Sequence, residues 1–338
     1  MSKFAGIAFA VGALTAVSVQ AQEVNIYNSR HYNTDRAIYE NFTKKTGIKV
    51  NIIEGNHDEL IQRLKSEGGS SPADLFITVD AGRLAAAAKE GLLLPVTSPE
   101  LEAVKVPANL RDPGGAWWGL STRARIIVYA RDRVKPDEIK TYEDLAKPEW
   151  HGRVLTRSGT HPYSLALTAS MIEADGEEKT EEWVKGLVAN LARPPQGGDT
   201  DQIRAVAVGE GDVALANTYY VGKFITSAKQ EDREVAKKIG VIFPNQADRG
   251  THVNLSGAGV VKTSKNAENA RKLLEYLLSP DAQRMFADGN MEYPVNPAVQ
   301  PHPELVALGS FRHADVNAAA FAAYTPQALR IMDRAGWK

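Results

Sequence analysis

Three short segments, "RHYNTD", "THPYS" and "NTYY", place tyrosines where a helix is expected to follow a strand. Tyr32 follows the strand pattern "VNIYNSR", Tyr163 follows "GRVLTRS", and Tyr219 and Tyr220 follow "DVALA". In open α/β sheets, ligands bind beyond the carboxyl ends of the strands, where the amino ends of helices favour negative charge. A phenol, whose pKa is ordinarily about 10, ionises there when a metal cation assists it. The three segments therefore predict a cation site built from phenolate oxygens.

Phenolate oxygens are hard, anionic ligands, so they suit a hard trivalent cation better than ions that prefer thiolate or imidazole. Ferric iron is the biological candidate. Four phenolates around a trivalent ion leave one excess negative charge. Arg123, in the segment "STRAR", is placed to neutralise that charge or to clamp a small anion. Arg30 and Arg125 are weaker candidates for the same role.

His31 precedes Tyr32, and three roles stay open for it: a fifth ligand, a hydrogen-bond donor to a ligand, or a solvated neighbour. No histidine pair has the spacing of a zinc motif. His161 lies three residues before Ser164, but no orienting carboxylate is indicated and the "GxSxG" elbow is absent. We therefore expect a binding protein and not an enzyme.

An alternative for the tyrosines is an organic solute, such as a polyamine or a sugar, that stacks on their rings. A polyamine receptor would need several carboxylates in its cleft, and none of the three segments offers a cluster of them. An isolated tyrosine pair usually has one ring in the core and one on the surface, because strand side chains alternate faces. Beyond a strand end that alternation lapses, so both rings can face one cleft. Iron fits the pattern better than an organic solute.

Composition and length narrow the class of protein. The chain has 338 residues, 43% of them hydrophobic, which is enough for two lobes or domains. Its formal net charge of -1, without a long basic run, argues against nucleic-acid binding. With no cysteine, disulfides, thiolate metal sites and lipid attachment to cysteine are excluded.

The segment 1–21, "MSKFAGIAFAVGALTAVSVQA", is typical of a cleavable signal peptide. It combines Lys3, an apolar run and small residues before a predicted cut after Ala21. We expect a soluble periplasmic protein without a lipid anchor, since a periplasm between two membranes retains an exported protein that has no anchor.

Strand and helix patterns alternate from "VNIYNSR" to "AGRLAAAAKEG" and again from about residue 141 to 230, which predicts an α/β fold with sheets flanked by helices. The apolar segment "WWGLSTRARIIVYARD" is long enough to cross between two lobes. We expect residues 22–120 in the first lobe, 121–250 in the second and 251–290 back in the first. C-terminal helices in 291–338 are expected to pack mainly on the second lobe.

From Val24 to about Ala298 the chain resembles periplasmic ferric-iron-binding proteins of the bacterial-transferrin type, the soluble receptors of ABC iron importers. Segments such as "ADLFITVDAGRL", "LAKPEWHGRV" and "LLSPDAQRMFADGNMEYPVNP" occur widely among solute-binding proteins, so they indicate the fold more than the ligand. The specific segments are "RHYNTD", "HPYS" and "NTYY". The resemblance implies a two-lobed type II periplasmic-binding-protein fold, with a mixed central sheet in each lobe and a cleft between lobes joined by crossing strands.

The resemblance also implies a ligand set. The implied iron ligands are Tyr32, Tyr163, Tyr219 and Tyr220, with His31 as an optional or nearby ligand.

Arg123 resembles the arginine that faces the metal in members dominated by tyrosine. Whether a synergistic anion completes the shell stays open, as does binding of ferrous iron beside ferric iron. The resemblance further implies closure of the lobes over the ion and delivery to an inner-membrane ABC permease. We expect the receptor to be a monomer.

Overall fold

The computed structural model describes residues 22–30, 32–315, 317 and 320–338, so the predicted signal peptide and His31 lie outside the described residues. The strands are β1 (Glu23–Asn28), β2 (Lys49–Glu54), β3 (Leu75–Thr78), β4 (Leu93–Leu94), β5 (Trp118–Ala130), β6 (Val154–Leu155), β7 (Val213–Asn217), β8 (Ile239–Ile242), β9 (Val253–Val261) and β10 (Tyr293–Pro294). The α-helices are α1 (Asp35–Thr46), α2 (His57–Glu67), α3 (Ala81–Lys89), α4 (Pro99–Ala103), α5 (Pro162–Asp175), α6 (Glu177–Ala189), α7 (Asp199–Val208), α8 (Thr218–Thr226), α9 (Gln230–Lys238), α10 (Ala267–Leu278), α11 (Pro280–Asn290), α12 (Pro303–Ala307) and α13 (Thr325–Ala335). Short 3-10 helices cover Gly68–Ser70, Ala108–Leu110, Pro136–Glu138, Glu143–Ala146, Pro148–Trp150 and Ala320–Tyr324.

The first sheet has the strand order β2-β1-β3-β9-β5, with β4 paired to β9 and β10 paired to β5. Strand β1 runs parallel to β2 and β3, whereas β9 is antiparallel to β3 and β5. Helices α10 and α11 pack on this sheet. Helix α1 ends at Gly47, whose φ of 74° is costly for residues with a Cβ.

Strand β5 joins the two lobes. All of its residues are buried. Its first part, Trp118–Ala124, pairs with β9, and its second part, Arg125–Tyr129, pairs antiparallel with β7. The second sheet is completed by β8 on β5 and by β6, which runs parallel to β7. This arrangement confirms the predicted α/β fold with two lobes and a mixed sheet in each, while the predicted lobe boundaries stay predictions.

The C-terminal part of the chain crosses between the lobes. Helix α12 packs on α8, and the 3-10 helix Ala320–Tyr324 contacts both α3 of the first lobe and α5 of the second. Helix α13 then packs on α5 and α6. Within the described ranges, no helix is both long and apolar enough to span a bilayer.

Candidate metal centre

Three of the predicted tyrosines meet at one edge of the second sheet. Strands β6 and β7 are parallel neighbours, so their carboxyl ends lie together, and the helices that follow them carry the tyrosines. The Oη atoms of Tyr163 and Tyr219 are 3.2 Å apart. The ring of Tyr220 lies against that of Tyr219, with centroids 4.1 Å apart and planes at 31°.

Tyr32 reaches this group from the first lobe. Its ring meets that of Tyr219 edge-on, with centroids 6.2 Å apart. Its Oη donates a hydrogen bond to Glu292 Oε1 at 3.3 Å. The structure therefore brings the four predicted tyrosines together across the cleft, with the lobes close enough for rings of both to touch.

The start of helix α5 fixes Tyr163. Pro162 is the first residue of the helix, and the Tyr163 N–H donates to His161 Nδ1 at 3.2 Å. The His161 ring also packs edge-on against the Tyr163 ring at 4.6 Å. Burial and the charges of Arg157 and Arg125 lower the pKa of His161 to about 3, so the imidazole is neutral at physiological pH. His161 therefore serves as a neutral cap and packing partner of this helical turn.

Arginine side chains surround the Tyr163 ring. The guanidinium carbons of Arg123, Arg125 and Arg157 lie 5.5, 6.0 and 5.2 Å from its centroid. Arg123 and Arg125 lie two residues apart on β5 and so project from the same face of the strand. Because Arg125 is paired in register with Asn217, the last residue of β7, both arginines lie at the sheet edge that carries the tyrosines.

The arginines differ in their partners. Arg125 and Arg157 both donate to Asp199, a carboxylate with no exposed surface. Arg123 donates to Ser256 Oγ at 3.2 Å and to the Val79 carbonyl, and it makes no ion pair with a carboxylate of the described residues.

Glu292 is a buried carboxylate that the sequence reasoning missed. It accepts hydrogen bonds from Ser121 Oγ at 2.7 Å and Arg30 Nη2 at 3.1 Å, in addition to Tyr32. Burial acts to raise the pKa of Glu292, but the charges of Arg30 and Arg123 outweigh it and hold the pKa below its usual value. Arg30, one of the weaker candidates for neutralising the ion, is instead committed to Glu292 and Asp35.

The phenols of Tyr32, Tyr219 and Tyr220 are neutral when no cation is present. Burial raises the pKa of Tyr32 well above its ordinary value, and Glu292 and Tyr163 add to the shift against the opposing charges of Arg30 and Arg123. Burial and the neighbouring phenols likewise raise the pKa of Tyr219 well above its ordinary value, and that of Tyr220 is also raised.

Three guanidinium groups around the tyrosines are matched by three carboxylates. The guanidinium groups are those of Arg30, Arg125 and Arg157, and the carboxylates are those of Asp35, Asp199 and Glu292. Arg123 remains as a buried cation beyond that balance, and Lys223 is an exposed one whose Nζ lies 4.9 Å from the Tyr32 ring centroid. Among the described residues, no group of three or more histidine, cysteine or acidic side chains could hold a metal ion. A metal in this cleft would depend on the phenols.

The known proteins that this chain resembles are consistent with one another. Residues 37–312 match the family of bacterial extracellular solute-binding proteins. The chain is 50% identical over 319 residues to Iron uptake protein A1 of Synechocystis sp. (strain ATCC 27184 / PCC 6803 / Kazusa), covering 94% of this chain and 88% of that protein. A structure of the Trichodesmium protein IdiA (FutA) in complex with iron and citrate ligands matches at 52% identity with a TM-score of 0.89, covering 94% of this chain and 100% of that one. A ferric binding protein from Campylobacter jejuni matches at 43% identity with a TM-score of 0.88, covering 93% of this chain and 100% of that one.

Proposed function

Since the chain belongs to the family of bacterial extracellular solute-binding proteins, we propose that it is a periplasmic receptor that binds ferric iron between its lobes and delivers it to an ABC-type importer. The names of its relatives, an iron uptake protein and a ferric binding protein, support this choice of solute. The observation that carries the proposal is the meeting of four phenols in one cleft, with the Tyr163 and Tyr219 oxygens 3.2 Å apart.

Tyr32, Tyr163, Tyr219 and Tyr220 are the proposed ligands. Their oxygens become hard anions only when they lose their protons, and the raised pKa values of Tyr32 and Tyr219 mean that a strongly charged cation must displace those protons. A trivalent ion does so better than a divalent one. His31 keeps its sequence-based proposal as an optional fifth ligand.

Arg123 is the proposed counter-charge. Four phenolates and a ferric ion carry one net negative charge together, and Arg123 is a buried cation without a carboxylate partner among the described residues. Ferrous iron would leave two negative charges in the same shell, so we expect it to bind more weakly than ferric iron.

A small synergistic anion is a further part of the proposal. Several buried N–H groups that surround the Tyr163 ring have no acceptor among the described residues; they are Arg123 Nε, Arg125 Nε and Nη2, and Arg157 Nε. Such donors suit phenolate oxygens or a small anion that shares the ion with them.

The proposed cycle follows from the division of the ligands between lobes. The second lobe captures iron through Tyr163, Tyr219 and Tyr220, and closure then adds Tyr32 from the first lobe. A ligand drives closure only by binding the closed form better than the open one. The closed monomer would dock on the inner-membrane permease, after export directed by the signal segment 1–21.

The organic-solute alternative has less support. A polyamine would need acceptor carboxylates facing the cleft. The three buried carboxylates described near the tyrosines are already bonded to arginines; they are Asp35, Asp199 and Glu292. No reaction centre is proposed, since the family is one of extracellular solute-binding proteins.

The first test is a visible absorption titration of the mature protein, Gln22 onward, with chelated ferric iron. A triple variant, Tyr163→Phe, Tyr219→Phe and Tyr220→Phe, serves as the comparison. We expect an orange-to-purple charge-transfer band in the parent and none in the variant, because the band requires ferric phenolate ligation. A folded parent without the band would refute the proposal and redirect the search to organic solutes.

A further inference from the structure

Residues 157–163, the segment that ends at Tyr163, pack against the C-terminal end of the chain. After helix α13, Gly336 adopts a left-handed conformation with φ of 79° and turns the chain inward. The next residue, Trp337, is 1% exposed, and its indole Nε1 donates to the Arg157 carbonyl at 3.0 Å. A Cβ on Gly159 would lie 2.2 Å from the Trp337 carbonyl oxygen, so this segment and Trp337 are in direct contact.

The segment that Trp337 contacts also carries residues of the candidate metal centre. Arg157 places its guanidinium over the Tyr163 ring and donates to Asp199 at 3.1 Å. Ser158 accepts a hydrogen bond through its carbonyl from Ser164 Oγ at 2.9 Å, which joins the segment to the first turn of α5. Tyr163 lies on that turn. The Trp337 indole therefore holds the segment that sets the positions of both Tyr163 and Arg157.

We propose that Trp337 is a positioning residue for iron retention, in a role that rests on the proposed function of the tyrosine site. Trp337 does not touch the ion. It fixes the backbone at Arg157, so that the Tyr163 phenolate and the Arg157 charge keep their places when the lobes open and close.

A neighbouring tryptophan offers a matched control. Trp183 packs edge-on against Trp337, with ring centroids 6.1 Å apart, and is 3% exposed. Its own indole N–H donates to a backbone carbonyl, that of Tyr142, at 2.8 Å. Trp183→Phe and Trp337→Phe thus remove the same volume and the same kind of hydrogen bond from one cluster, but only Trp337→Phe releases Arg157.

The experiment compares the parent with these two variants. Iron is loaded, a competing chelator is added, and the decay of the charge-transfer band gives the rate of iron loss. We expect Trp337→Phe to lose iron roughly 5-fold faster than Trp183→Phe at equal melting temperatures, the factor that one lost hydrogen bond typically costs. Equal rates in the two variants would overturn the proposal.

Hydrogen exchange on the iron-free proteins separates this proposal from that of iron binding. We expect faster amide exchange in residues 157–163 of Trp337→Phe and no change there in Trp183→Phe; unchanged exchange in both would refute the positioning role. Gly159→Ala is a second variant, because a Cβ there would lie 2.2 Å from the Trp337 carbonyl oxygen and 3.0 Å from its Cγ, so the segment and Trp337 must separate. It should match Trp337→Phe in both measurements, and parent-like behaviour would contradict the proposal. A parent without the iron band would refute the proposed iron binding but not the positioning role, since amide exchange still reports on the segment.

Discussion

Replacement of Arg123 by glutamine removes the buried positive charge that has no carboxylate partner among the described residues. The guanidinium carbon lies 5.5 Å from the Tyr163 ring centroid. With four phenolates bound to ferric iron, the cluster that faces Arg123 carries one net negative charge. The arginine should therefore stabilise the loaded form much more than the iron-free form, in which the phenols of Tyr32, Tyr219 and Tyr220 are protonated.

The size of the effect follows from Coulomb's law. For unit charges at the 5.5 Å separation, an effective dielectric constant of about 20 gives about 3 kcal/mol. That free energy corresponds to roughly a 100-fold rise in Kd for ferric iron. If only three phenols ionise, the loaded cluster is neutral and the same substitution should cost well under 10-fold by the same reasoning.

The assay is an equilibrium competition for ferric iron against a chelator of known affinity. Arg123→Lys is the control for charge, since it keeps the cation but loses the guanidinium contacts with Ser256 and Val79. We expect Arg123→Lys to retain most of the affinity and Arg123→Gln to lose about two decades, as worked above. The melting temperatures of the iron-free variants report the separate cost of losing those buried hydrogen bonds, about 1 to 3 kcal/mol. Equal Kd values for the parent and Arg123→Gln would refute the charge reasoning.

Two further predictions concern the phenols. Tyr32→Phe keeps the ring that meets Tyr219 but removes the first-lobe oxygen. We therefore expect weaker iron retention, and small-angle scattering of the iron-loaded variant should report a more open protein than the parent. Unchanged affinity and scattering would refute the closure step. Acidification should weaken ferric binding, since the raised pKa values of Tyr32, Tyr219 and Tyr220 keep these phenols protonated and each ligation must release a proton. Titrations from pH 8 to pH 6 should show a loss of roughly one decade of affinity per pH unit for each phenol that ionises, and a pH-independent Kd would exclude phenolate ligation.

The tyrosines could be found from the sequence because their position depends on local structure. Each follows a strand and precedes or begins a helix, and parallel strands such as β6 and β7 bring those positions together. Pro162 begins α5, a position that suits proline because the first N–H groups of a helix have no partner within it. The crossing segment was equally visible, since its long apolar run became β5.

Partners distant in sequence could not be found in this way. Glu292 lies 260 residues from Tyr32, and nothing in the pattern around either residue shows that they bond. From the sequence, Arg123 ranks above Arg30 and Arg125, but the contacts that separate the three arginines are tertiary. Asp35 and Glu292 occupy Arg30, and Asp199 occupies Arg125, so only tertiary contacts single out Arg123 as the buried cation without a carboxylate.

The balance of charges also bears on which ions the cleft can hold. Without a cation, the charges of Arg30, Arg125 and Arg157 are paired with buried carboxylates, whereas the buried charge of Arg123 is not. A divalent ion would have to displace the same protons as a trivalent ion, although it carries less charge. It would also neutralise less of the negative charge on the resulting phenolates. The raised pKa values of Tyr32 and Tyr219 therefore act against weakly charged ions, and Arg123 compensates only the single excess charge that a ferric ion leaves. We therefore expect selectivity for ferric iron to follow from the cost of ionising buried phenols as much as from the hardness of the ligands.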